Sequence, residues 1–119
     1  MKTEAQIQKE CNSFLRARGW HVERFTGNAF QKGIPDVQLF HLDHGFRWVD
    51  YKRTKGGVLT RAQRIKWPQW EAAGIGIWIL TSTEDYDDGI LFRDPNWRKW
   101  WKPSYDIDID KLLDEVTLE

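Results

Sequence analysis

With one cysteine, Cys11, the 119-residue sequence can form no internal disulfide, and no second thiolate is present to begin a cysteine zinc site. No apolar run approaches the ~20 residues needed to cross a bilayer. Residues Met1 to Glu10 mix charges and amides without the apolar stretch of a secretion signal. These absences predict a soluble, cytoplasmic protein without membrane contact. Internal repeats and low-complexity linkers are also missing, so one domain over 1–119 is expected. What the chain has in quantity is aromatic surface: 8 Trp, 6 Phe and 3 Tyr, enough apolar area to offset the entropy of ordering.

The formal net charge of zero hides a division. Residues 1–66 carry 13 basic and 6 acidic side chains, net +7, whereas residues 67–119 carry 5 and 12, net −7. From Arg47 to Lys66 seven cations face one acid, Asp50, a balance suited to a phosphate backbone. An ordinary solvated face is the competing account of such a run.

Thr3-Glu4-Ala5-Gln6 is a capping-box pattern and predicts a helix from 4 to 18, with Ile7, Cys11, Phe14 and Leu15 as its apolar stripe. Glu4 falls within the arc of that stripe and is expected to point toward the protein body. Trp20 to Phe25 reads as a strand, and Thr26 to Gly33 as a loop with Gly27, Asn28 and Gly33 as turn formers. Asp36 to Leu42 and Phe46 to Lys52 read as two further strands of an antiparallel meander, joined by a polar turn. Thr60 caps a helix from 61 to 73, which Pro68 should kink or split. Gly76 to Thr81 is continuously apolar, as expected at a sheet centre covered on both faces. Beyond it lie an acidic turn, a short apolar segment from Gly89 to Phe92, and the Trp97, Trp100, Trp101 patch. The tail from Asp106 could pack Ile107, Ile109, Leu112, Leu113 and Val116 as a strand end followed by a helix.

Chemistry concentrates in Gly33-Ile34-Pro35-Asp36 and Val49-Asp50-Tyr51-Lys52. Asp50 and Lys52 are two apart on a strand and share a face, and Asp36 opens the neighbouring strand. Two adjacent carboxylates repel unless a cation neutralises them, and hard oxygen donors favour Mg²⁺ or Mn²⁺. Such an ion polarises a phosphodiester and acidifies water, while a nearby lysine offsets developing charge, a combination that describes phosphodiester hydrolysis. A lone Asp-x-Lys is commonly a solvent-facing pair. The upstream Pro-Asp, the leading Glu4 and the basic helix downstream give it weight.

On these residues the chain resembles the PD-(D/E)xK nuclease superfamily, and within it the virus-type replication-repair nuclease (VRR-NUC) domain. The similarity covers about residues 3–83, with 84–119 as a Trp-rich, acidic extension, and rests on Glu4, Gly33-Ile34-Pro35-Asp36, Asp50-Tyr51-Lys52 and Leu59-Thr60-Arg61-Ala62-Gln63. The resemblance implies an α/β, restriction-endonuclease-like core: a central mixed four-stranded sheet flanked by helices, with the site where strands two and three meet the first helix. It implies that Glu4, Asp36, Asp50 and the Tyr51 backbone carbonyl hold Mg²⁺, with Mn²⁺ as substitute. Lys52 would act on the attacking water and Gln63 would support the centre; Glu10 is the alternative to Glu4. The family usually has glutamate where Asp50 stands, one methylene longer, so metal spacing can differ. A DNA endonuclease acting on branched or Holliday-junction DNA as a homodimer, without organic cofactor, follows from the resemblance, in a bacterial or phage-infected cell. Phosphate contacts are expected from Lys32, Arg53, Lys55, Arg61 and Arg64.

The rival readings are a non-cleaving protein that binds branched nucleic acid on the same fold, and a docking module using the C-terminal region. His41 and His44 read as surface histidines of a hairpin turn, Cys11 as a buried small hydrophobe, and the tryptophans mainly as core and subunit contacts, with one or two at a DNA surface.

Overall fold

The computed structural model of the chain describes residues 1–25 and 32–117, the side chains of 109 and 112–117 excepted. The expected turn formers Gly27 and Asn28, and the tail side chains Ile109, Leu112, Leu113 and Val116, lie outside the described set. Helix α1 spans Glu4–Arg16 and opens on the expected capping box: the Thr3 hydroxyl accepts from the Gln6 N–H, and the Gln6 side chain accepts from the Thr3 N–H. Ile7, Cys11 and Leu15 form its buried stripe.

Strands β1 (His21–Arg24), β2 (Val37–His41) and β3 (Gly45–Tyr51) make the antiparallel meander, pairing Val22 with Leu39 and Val37 with Val49. Helix α2 (Arg61–Ala72) then crosses over to β4 (Ile77–Leu80), which runs parallel to β3 with Asp50 beside Ile79. The sheet order is β1-β2-β3-β4, a mixed four-stranded sheet flanked by helices, as the sequence implied. One core lies between the sheet and α1, from Ile7, Cys11, Leu15, Val22, Val37, Leu39, Val49 and Tyr51. A second lies on the opposite face, where Leu59, Trp67, Ile77, Ile79, Trp97 and Tyr105 pack together.

Three expectations need correction. Strand β4 is an edge strand and not the sheet centre. Its apolar run is explained by burial on both faces, and its free edge is closed by a side chain: Asn96 Oδ1 accepts from the Ile79 N–H at 2.7 Å, and Asn96 Nδ2 donates to the Ile79 carbonyl at 2.9 Å. This mimics a further strand and masks the edge. Pro68 neither splits nor ends α2, which is continuous around it. Proline removes only the bond to the residue 64 carbonyl, and the buried Trp67, whose indole N–H donates to the Gly33 carbonyl at 2.6 Å, pins the helix at that point. The tail forms no strand: α4 runs from Pro103 to Thr117 as one helix, after a short helix α3 (Glu84–Asp87) and two 3₁₀ turns, Ile90–Phe92 and Trp97–Trp100.

All eight tryptophans are buried or half-buried, so their main role is packing. Phe40 and Phe46, paired across β2 and β3 with ring centroids 5.2 Å apart, and the fully exposed Leu42 leave an apolar surface at the hairpin.

Candidate active site

The loop before β2 is held by α2. Gly33 has φ +83°, and a Cβ there would sit 2.8 Å from the Ala62 carbonyl group, so only glycine lets the loop approach the helix so closely. The Lys66 ammonium donates to the Lys32 carbonyl at 2.6 Å, beside the Trp67–Gly33 bond. Asp36 is thereby delivered to the mouth of β2, next to the end of β3.

There the two acids meet. The Asp36 N–H donates to Asp50 Oδ1 at 3.2 Å, and the Tyr51 N–H donates to Asp36 Oδ2 at 2.8 Å. The carboxyl groups therefore share one side of the sheet. Lys52 Nζ lies 3.1 Å from Asp50 Oδ2 and donates to Gln63 Oε1 at 2.9 Å. Gln63 completes a second capping box, its Oε1 accepting from the Thr60 N–H while its Nε2 faces both Asp50 oxygens at 3.4 Å. One amide thus caps α2 and ties Lys52 to Asp50. From the opposite face of the sheet, the Tyr51 hydroxyl donates to Asn12 Oδ1 of α1 at 2.6 Å, anchoring the end of β3.

Most of the centre is buried: Asp50, Lys52 and Gln63 are 2%, 3% and 6% exposed, while Asp36 is half-buried. Burial, first, and the charge of Asp36, second, push the Asp50 carboxyl up to about 8, against the attraction of Lys52. The lysine alone does not neutralise the pair, so a further cation is electrostatically wanted at this point. Burial likewise holds the Tyr51 phenol well above its usual range.

Among the described residues no cluster of three or more His, Cys, Asp or Glu side chains is placed to share an ion. Two carboxylates, a backbone carbonyl at Tyr51 and hard oxygen chemistry throughout nevertheless fit Mg²⁺, which commonly takes one or two protein carboxylates and fills the rest of its octahedron with water and substrate phosphate.

The expectation that Glu4 points inward is corrected: it is exposed on the first turn of α1, beyond the buried stripe. It lines, with Thr3, Lys52, Arg53, Val58 and Thr60, a surface cleft of about 320 Å³ that gives access to Lys52. Glu10 turns elsewhere, to Lys2 Nζ at 2.7 Å. Lys32, Arg53, Lys55 and Arg61 are exposed. Arg64 is half-buried, its Nη1 donating to the Leu59 carbonyl at 3.0 Å and its guanidinium 4.7 Å from the Tyr105 ring centre.

The arrangement of helices and strands is similar to that of a solved structure. A structure titled VRR_NUC domain superposes with a TM-score of 0.59 at 18% sequence identity, covering 71% of this chain and 90% of that one. The fold is that of a VRR_NUC domain. At this identity the likeness speaks for architecture alone. No protein-family model matches the sequence, and a search of curated proteins finds no match.

The remaining sequence candidates resolve plainly on the VRR_NUC fold. The Asp43 N–H donates to His41 Nδ1 at 3.0 Å, and His41 Nε2 faces the Arg18 carbonyl at 3.2 Å. Both ring nitrogens are thus engaged by backbone groups. It packs edge-on to Trp20 at 4.9 Å and is half-buried, more enclosed than a surface histidine. Cys11 lies in the α1 core, where burial pushes its thiol up to about 11. Asn12 was missed by sequence reasoning; its signal is a polar residue beside the apolar stripe of α1, which alone cannot name Tyr51 as its partner.

Proposed function

We propose that this protein is a metal-dependent DNA endonuclease that hydrolyses phosphodiester bonds at the Asp36–Asp50–Lys52 centre. The observation that carries the reading is the buried Asp50 carboxyl, set beside the half-buried Asp36 and held against Lys52 and Gln63 at the end of the central strands. An amine and an acid buried together beside a second carboxylate serve folding poorly, because desolvation can cost more than their attraction returns. Their convergence in one place is what phosphodiester hydrolysis needs.

In this reading Asp36, Asp50 and the Tyr51 carbonyl hold Mg²⁺ or Mn²⁺, with Glu4 acting from the cleft wall. When bound, the ion polarises the scissile phosphate and balances its negative charge. Lys52 has three N–H donors and spends two on Asp50 and Gln63. The third orients the attacking water or meets the charge that builds on the phosphoryl oxygens. Gln63 keeps the ammonium from swinging away. The exposed cations Lys32, Arg53, Lys55 and Arg61 supply salt-sensitive, sequence-independent phosphate contacts.

The finer expectations belong to the same proposal: branched or Holliday-junction DNA as substrate, and a homodimer whose two centres cut opposed strands. The test is a cleavage panel of linear, nicked, flap and four-way DNA in Mg²⁺, Mn²⁺ and Ca²⁺, beside Asp36→Asn, Asp50→Asn and Lys52→Ala. Cutting should require Mg²⁺ or Mn²⁺ and vanish in all three variants while DNA binding persists. Binding without cutting by the unaltered protein under every metal would make it the non-cleaving alternative. Robust turnover by Lys52→Ala would remove the role given to that amine.

A further inference from the structure

The hexapeptide Trp97-Arg98-Lys99-Trp100-Trp101-Lys102 belongs to the acidic half of the chain, yet the fold displays its lysines on the active-site side. Trp97 is buried, and Trp100 and Trp101 pack half-buried around the same core, which fixes the segment against the sheet. Arg98 turns toward α2, where its Nη2 lies 2.6 Å from Glu71 Oε2. Lys99 and Lys102 are left exposed, without an ion-pair partner among the described residues.

They line a surface cleft of about 470 Å³ together with Thr54, Thr81, Asn96 and Trp100. Thr54 and Thr81 also line a neighbouring cleft with Arg53 and Lys55. Arg53 in turn borders the cleft that opens on Lys52 and Glu4. The three depressions form one groove around the loop after β3. Its acids are Glu4 at one end and Asp85 at the other, and Asp85 Oδ2 is already taken by the Thr81 N–H at 2.7 Å and hydroxyl at 2.9 Å. Arg53, Lys55, Lys99 and Lys102 outnumber them.

We infer that this groove carries the DNA backbone away from the active site, with Lys99 and Lys102 binding phosphates that flank the scissile one. The inference rests on the nuclease reading above and assigns a role to the C-terminal segment. The charge excess and the continuity with the Lys52 cleft both select a polyanion that passes the catalytic centre. Each lysine that neutralises a phosphate releases condensed counterions, so its contribution is read from salt dependence and not from affinity at one condition.

The test measures DNA binding against salt for the full chain carrying Asp36→Asn, so that bound DNA is not cut. Adding Lys99→Ala and Lys102→Ala together should lower the slope of log K against log salt by between about 1.4 and 1.8. Lys99→Arg with Lys102→Arg should retain the slope, as should Lys111→Ala, which alters total charge equally per residue; circular dichroism checks that each variant is folded. An unchanged slope on removing both lysines, with the loss appearing instead on removing Arg16 and Arg24 from the cleft beside α1, overturns the groove while leaving the nuclease reading intact. Absence of DNA binding by the Asp36→Asn chain at every salt concentration sinks both.

Discussion

Asp50 bears opposed demands. Folding would prefer it neutral, since burial and Asp36 push its carboxyl up to about 8, whereas cation binding needs it ionised. Its folded pKa lies above its unfolded value, so it contributes stability that is fully present below the unfolded pKa and is lost as pH rises through the folded one. In chelator, the melting temperature of the unaltered protein should therefore fall between about pH 4 and 8 relative to Asp50→Asn, where this proton is absent. Saturating Mg²⁺ should shrink that difference for the unaltered protein and leave the variant unmoved. A variant that melts earlier than the parent at pH 8 in chelator would show that Lys52 outweighs burial and Asp36. Asp50→Asn should at once abolish cutting and stabilise the metal-free chain, a conflict expected where activity requires a strained charge.

At the scale of elements, the site depends on contacts that have no chemistry of their own. Gly33→Ala would force its Cβ into the backbone at Ala62 while straining a positive φ, displacing the loop that delivers Asp36. It should lower stability by on the order of 1–3 kcal/mol and cut turnover more than DNA binding, measured by denaturant melts beside single-turnover cleavage. Equal loss of both would place Gly33 in folding alone. Asn96→Ala removes both bonds that mask β4, at a cost of about 1–3 kcal/mol from the unpaired Ile79 groups. The bared edge should also increase concentration-dependent aggregation, read by light scattering. Pro68 is the element-scale lesson in the other direction: the sequence led to an expected kink or split, and the anchoring of Trp67 to Gly33 at that point of the continuous α2 was not legible there.

At the scale of the whole molecule, Phe40, Leu42 and Phe46 leave an apolar surface at the hairpin of β2 and β3. If the homodimer implied by the resemblance forms there, Phe40→Asp with Phe46→Asp should convert a dimer to a monomer in sedimentation and leave single cuts on four-way DNA in place of paired ones. A monomer before substitution would remove paired cutting from the proposal. Among the described residues no helix is long and apolar enough to cross a membrane.

The Thr3–Gln6 capping box, the Thr60 cap of α2 and the shared face of Asp50 and Lys52 were legible in the amino-acid order, because each follows from spacings of a few residues, and the meander placed Asp36 at the start of the neighbouring strand. The glutamine of Thr60–Gln63 was expected to support the centre through the resemblance; that it does so by capping α2 and gripping Lys52 with one oxygen appears only once the crossover is folded. The edge position of β4, its masking by Asn96, the Asn12–Tyr51 bond and the turning of Lys99 and Lys102 toward the cleft were decided by tertiary structure. Local order sets periodicity and caps. Contacts between segments tens of residues apart depend on which surfaces the core brings face to face, and a single chain read along its length carries no direct trace of that.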